Sequence, residues 1–246
     1  MIATPFSAAG ASNTQVNLYV GQFFEGEPIP LSAQYVTQFQ RFSMAGIQDL
    51  MPRVPRSSAT GISLQKAGSG CQILAIDTHP NFVQLSKDQF TYYPADEGLT
   101  NIQHLLKNGV APKLANRERY QRHIKALLDV DGDLDDTVLH ETGQRLEILP
   151  LTYPKRIDRV LQPSFQVLFE GKPLAGVLAK AWNKIAGQTL LIRSVADENG
   201  VVKLALPFSG IWMLSAVHML PVQNDPALDW ESFWANLTFE IPQRSL

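Results

Sequence analysis

The sequence predicts a mainly β fold whose C-terminal part, from about Arg145 onward, is an Ig-like or transthyretin-like β-sandwich. Three observations lead there. Apolar residues alternate with polar ones at a period of two in several short runs. Turn chemistry, as in Glu170-Gly171-Lys172-Pro173 and Asp197-Glu198-Asn199-Gly200, separates those runs. Only two stretches read as helices, and both lie in the N-terminal portion.

Taken in order, Val16, Leu18 and Val20 alternate with Asn17 and Tyr19, and Gly21 ends that strand. Glu25-Gly26-Glu27-Pro28 is a turn, and the polar, proline-containing stretch from Met51 to Gly61 reads as a loop. Gln72 to Asp77 and Phe82 to Leu85 read as strands joined near His79-Pro80. Leu99, Ile102 and Leu106 share one helical face, with Gly109 as its stop. Asn116 is placed to cap a second helix, with a Tyr120, Ile124, Leu127 and Leu128 stripe and a charged opposite face. The acidic break Asp129 to Asp136 marks the expected boundary between a β-rich N-terminal domain, 1–140, and a sandwich domain, 145–246.

Beyond the break, Leu146, Ile148 and Leu149 open a strand, and Phe165, Val167 and Phe169 form another. Val177, Ala179 and Ala181 make a third, and Leu190 to Val195 a fourth. Asn199-Gly200 favours a turn with both central φ values positive, and Val202, Leu204 and Leu206 follow it. Ile211 to Leu220 is apolar on both faces, which marks a central strand, and Trp234 to Ile241 is the last one.

Composition narrows the function. Among 246 residues, 18% are charged and the net charge is −2, so no basic excess exists to neutralise a nucleic-acid backbone. No apolar run approaches the ~20 residues of a spanning helix, so the chain is not expected to cross a membrane itself. No signal peptide is visible at Met1-Ile2-Ala3-Thr4-Pro5. The single Cys71 rules out an internal disulfide and reads as a buried, inert thiol within a strand.

Catalytic motifs are not found. No nucleophile elbow, phosphate loop or dinucleotide fingerprint is present, so the expectation is a protein that is not an enzyme. His140-Glu141 lacks the second histidine of a zinc protease, because position 144 is Gln144. Asp129, Asp131 and Asp133 have the spacing of the first calcium-loop ligands, but Leu134 and His140 stand where that loop needs glycine and glutamate. The sequon Asn236-Leu237-Thr238 lies in a strand.

His218 is the most informative histidine. It ends the long strand, on the face of Trp212, Leu214 and Ala216. With Met219 and Asp229 it makes the candidate metal set, His218, Met219 and Asp229. Imidazole suits nickel, cobalt, copper and zinc, and thioether suits copper(I). The competing reading is a histidine hydrogen-bonded at the sandwich edge. Phe23, Phe24, Tyr92, Tyr93, Trp230 and Trp234 could form a sugar-stacking platform or belong to core and rim.

Several segments taken together resemble the DUF4198 family. They are Leu18 to Glu27, Glu97-Gly98-Leu99, Arg117 to Leu128, Leu146 to Pro150, Gly171 to Gly176, Gly210-Ile211-Trp212, Val217-His218-Met219 and Asp229 to Trp234 running into Leu237-Thr238-Phe239. Members are described as similar to periplasmic components of nickel or cobalt uptake systems. The resemblance therefore implies a periplasmic or secreted, non-enzymatic binding protein, with nickel or cobalt as its ion and membrane components of a metal transporter as partners. Members carry a histidine-containing segment ending in Phe-Trp before the first strand, and this chain begins just past its expected place. A mature N-terminal histidine offers an imidazole and an α-amine to one metal, so truncation is expected to remove that ligand. His123 stands where the family pattern has an aromatic residue. The alternative is a cell-surface β-sandwich module that binds protein or glycan, since fold alone does not set function.

Overall fold

The computed structural model describes residues 13–21, 26–57, 61–65, 68–110, 112–130, 135–153 and 162–242. In chain order come β1 (Asn13–Val16), β2 (Leu18–Val20), β3 (Glu27–Ile29), β4 (Val36–Ser43), β5 (Gly46–Asp49), β6 (Ile62–Gln65), β7 (Gly70–Thr78) and β8 (Asn81–Ser86). The helices α1 (Lys87–Asp96) and α2 (Thr100–Lys107) follow. Then come β9 (Ala115–Val130), β10 (Leu146–Pro150), β11 (Ser164–Phe169), β12 (Lys172–Pro173) and β13 (Leu178–Ile185). The last strands are β14 (Gln188–Val195), β15 (Val201–Lys203), β16 (Gly210–Pro221) and β17 (Trp230–Ile241).

The fold is mainly β, and its organising element is a nine-stranded sheet in the order β14-β13-β16-β17-β9-β7-β4-β5, with β8 also paired to β9. β9 is long enough to take two partners in succession on one side. β8 pairs with its residues Ala115 to Tyr120 and β7 with His123 to Val130. On its other side β9 runs parallel to β17, in register from Glu118↔Trp230 to Ala126↔Thr238.

The main sheet is covered on both faces. A second sheet, of β10, β11, β12 and β15, packs on one face over Ile73, Ala75, Leu127, Trp212, Leu214 and Phe233. The pairs β1–β6 and β2–β3 cover part of the other face over Phe39, Leu74, Ile76, Ile124 and Leu128. Helices α1 and α2 cover the rest, with Phe90, Leu99 and Ile102 against Val217, Met219 and Trp230. As expected, β16 is central, flanked by β13 and β17.

The structure corrects the expected second helix and the expected turn at Asn199-Gly200. The stretch from Asn116 is a strand, β9, not a helix. Both of its faces are covered, so His123 to Leu128 are buried consecutively, and a strand buried on both sides loses the alternation that marks a strand in sequence. The second helix is α1, whose start is a full capping box: Gln89 N–H donates to Ser86 Oγ, and the Gln89 side chain accepts from Ser86 N–H.

The main sheet runs across the expected boundary at 140–145, since β17 pairs with β9. The sandwich is therefore real, but its type within that class does not follow, since one sheet takes a parallel strand and N-terminal strands where Ig sheets are antiparallel. Finally, Gly200 has φ +70 while Asn199 stays at negative φ. Asp197 Oδ1 instead accepts from Asn199 N–H and Val201 N–H, and the turn carries the chain from β14 into the second sheet. Two other turns have both central φ values positive: Glu170–Gly171, at +51 and +73, between β11 and β12, and Ala186–Gly187, at +48 and +81, between β13 and β14.

Candidate functional site

Adjacent residues of a strand point to opposite faces, and this separates His218 from Met219. His218 lies on the sandwich face, as the alternation predicts, with its ring centroid 4.6 Å from that of Phe169. Met219 is fully buried on the other face, under α1 and α2. Asp229 precedes β17, and its carboxylate is already occupied. It accepts from Arg117 N–H at 2.8 Å, from Arg117 Nε and Nη2 at 3.0 Å each, and from Lys113 Nζ. Hydrogen bonding to Arg117, and then to Lys113, holds this carboxyl well below the usual carboxylate range. The structure therefore does not bring the three expected ligands together: the thioether is sealed in a core and the carboxylate neutralises two cations.

What does surround His218 is a row of alternating charge on an aromatic floor. Glu170 stands at the β11–β12 turn. Burial lowers the His218 pKa, the Glu170 carboxylate acts in the opposite sense, and burial prevails, which favours the neutral ring. Glu170 Oε1 accepts from Arg145 Nη2 at 2.6 Å and Nε at 3.2 Å. The Arg145 guanidinium lies 4.2 Å from the Phe233 centroid and 5.8 Å from that of Phe169, and 3.8 Å separates its Nη1 from Glu231 Oε1. Arg119 in turn donates to Glu231 at 2.9 and 3.2 Å.

Behind Phe233, on the same face of the main sheet, is a buried polar cluster. His123 stacks on Phe233 at 6.3 Å, and its Nδ1 lies 2.7 Å from Asp77 Oδ1. Gln144 Nε2 donates to that same oxygen at 2.8 Å and to Ile76 O at 3.0 Å. His123 Nε2 is buried with no hydrogen-bond partner among the described residues.

The chemistry available at His218 is a neutral imidazole beside a carboxylate, both donors that borderline divalent ions accept. Among the described residues no three His, Cys, Asp or Glu side chains converge to hold a metal. Residue reasoning missed Glu170 and Arg145, which sequence places 48 and 73 residues from His218 and only the packing of the second sheet brings near. The signal present in the sequence was the Glu170-Gly171 turn, which fixes the carboxylate at a strand end.

The other candidates resolve as follows. Asp131 and Asp133 lie outside the described residues, as do the side chain of Asp129 and the aromatics Phe23 and Phe24. His140 Nδ1 lies 2.9 Å from Asp136 O, beside the short 3-10 turn Asp136–Leu139. Trp230 stacks on Phe90 at 4.9 Å and Tyr93 on Trp234 at 6.1 Å, so these rings pack on one another, and only Tyr92 of the described set is largely exposed. Cys71 is buried, as expected. Asn236 is buried within β17.

The family model for DUF4198, a domain of unknown function, matches residues 1–220. The chain belongs to the DUF4198 family. The match covers every segment that carried the resemblance except the last, Asp229 to Phe239. Among curated proteins no match to this DUF4198 chain is found. Among the described residues no helix is long and apolar enough to cross a membrane.

Proposed function

We propose that this DUF4198 protein is a non-enzymatic accessory or binding protein of a transition-metal uptake system, periplasmic or secreted, with nickel or cobalt as its cargo and membrane components of a transporter as its partners. The class is what the resemblance of its segments to this family implies, the family itself being described as a domain of unknown function. The observation that carries it in this chain is the place of His218, a half-buried imidazole 4.6 Å from the Phe169 ring, with the Glu170 carboxylate near enough to act on it. The donor set is revised accordingly, to His218 with Glu170, because Met219 and Asp229 lie away from His218; a bound ion would share the Glu170 carboxylate with Arg145. Calorimetric titration with nickel and with cobalt tests the reading. Heat saturating at one ion per chain supports it, and no heat from either ion removes it.

The second reading is a module that binds another protein. What favours it is an apolar cleft at the open end of the main sheet. A glycan platform has less support, since Tyr93, Trp230 and Trp234 spend their faces on neighbouring rings or in the core.

A further inference from the structure

Among the described residues β5 ends the main sheet. Its four residues, Gly46, Ile47, Gln48 and Asp49, are all exposed. A free strand edge offers unpaired N–H and C=O groups to any extended chain, and proteins ordinarily guard such edges with lysine, proline, a bulge or a covering element. β5 carries no lysine or proline, and its protection is its four-residue length and the charge of Asp49. The opposite edge, β14, shows the contrast, since its Arg193 reaches toward Asp96 of α1.

This edge also borders a cleft of about 620 Å³. Phe42 and Ile47 are cross-strand partners and so share one face. Phe42 is buried in the sandwich core, whereas Ile47 is 66% exposed where the second layer no longer covers the sheet. Met44, 77% exposed, extends this apolar wall. The facing wall carries Asp136 and Glu141, both exposed, and Asp135. Among the described residues no lysine or arginine lines the cleft.

We propose that this edge and cleft bind an extended, basic segment of a partner protein as an added strand on β5. The backbone of the segment pairs with the edge. Its alternate apolar side chains enter the cleft against Phe42 and Ile47, and its lysines or arginines meet the Asp136 and Glu141 wall. Charge complementarity selects a basic occupant, and the strand edge selects an extended one. The proposal goes beyond the metal reading and is independent of it, because metal titration and peptide binding are separate measurements.

The probe is a fluorescently labelled synthetic heptapeptide that alternates lysine and valine, read by anisotropy against the full chain at low salt. Three companions are a glutamate–valine peptide, a backbone N-methylated lysine–valine peptide, and Glu141→Lys protein. Saturable binding of the lysine–valine peptide is expected, weakened about tenfold or more by Ile47→Lys, by Glu141→Lys and by N-methylation. Both substitutions are at exposed positions, so circular dichroism and urea midpoints should stay at wild-type values. Val195→Lys, on the opposite edge, should leave binding unchanged. Glu141→Lys should gain affinity for the glutamate–valine peptide. No binding up to about 1 mM peptide, or binding insensitive to both Ile47→Lys and N-methylation, overturns the proposal.

Discussion

Lys125 Nζ lies 2.7 Å from Glu147 Oε1, and both side chains are almost wholly buried between the two sheets of the sandwich. Glu147 also accepts from Thr142 N–H at 2.6 Å, Thr142 Oγ1 at 2.8 Å and Gly143 N–H at 3.2 Å, so it fixes the segment before β10. Burial lowers the Lys125 pKa, and Glu147, followed by Glu141, opposes this. Removing the lysine alone leaves a buried carboxylate without its cation. Lys125→Met should therefore cost about 3–5 kcal/mol, and Lys125→Met with Glu147→Leu should cost less than the two single changes summed. Urea denaturation of the four proteins reads this directly, and additive losses would show that the pair is not coupled.

Trp212 is fully buried in the sandwich core, and its Nε1 donates to Phe208 O at 3.0 Å. Trp212→Ala should destabilise by about 3–5 kcal/mol in chemical denaturation. A loss below about 1 kcal/mol would mean that the core tolerates the cavity by collapse.

Glu118 of β9 accepts from Tyr93 Oη of α1 at 3.1 Å and from Ser232 Oγ of β17, and Trp234 Nε1 donates to that hydroxyl at 3.0 Å. Burial raises the Glu118 pKa, and the hydroxyl donors and Arg122 only partly counter it. The folded state thus binds this proton more tightly than the unfolded state does. Its stabilising contribution is full below the unfolded value of about 4.3 and is lost as pH rises through the raised folded value. Glu118→Gln should remove that slope, so the mutant gains on wild type as pH rises from about 4 toward neutrality. Urea midpoints of both proteins across this range measure the difference, and parallel curves would contradict it.

Gly200 must stay glycine. Its φ is +70, and a Cβ there would stand 2.7 Å from Val167 O and 2.9 Å from Leu174 N. Its own carbonyl accepts from Val167 N–H at 2.8 Å, so the turn has no room to shift. Gly200→Ala should cost about 1–3 kcal/mol by thermal or urea unfolding. A neutral result would show that the crossing between the sheets is looser than these distances imply.

Strands with one covered face were legible from their alternation, as in β11, where Phe165 and Val167 are buried and Ser164 and Gln166 half-buried. β16 was legible for the opposite reason, being apolar on both faces, with Ser215 and His218 as the exceptions, and bounded by Gly210. β9 was not, because Arg117, Glu118, Arg119 and Arg122 imitate a solvated helical face while pairing with residues far along the chain: Arg117 with Asp229 and Arg119 with Glu231. The Ser86–Gln89 capping box was readable and marks α1 without help from hydrophobic periodicity. At the site, the face of His218 followed from alternation, whereas Glu170 became its neighbour only through the packing of β11 over β16 and β17. The same alternation already implied that Met219 points away from His218.

The proposed role in metal uptake is tested most directly by nickel and cobalt calorimetry on the wild-type chain, His218→Ala and Glu170→Ala side by side. Both residues are partly or fully exposed, so the variants should fold as wild type does. The account predicts one ion per wild-type chain, loss of binding in His218→Ala and an affinity at least about tenfold weaker in Glu170→Ala. Binding unchanged in His218→Ala, or no binding by the wild-type chain, would contradict it.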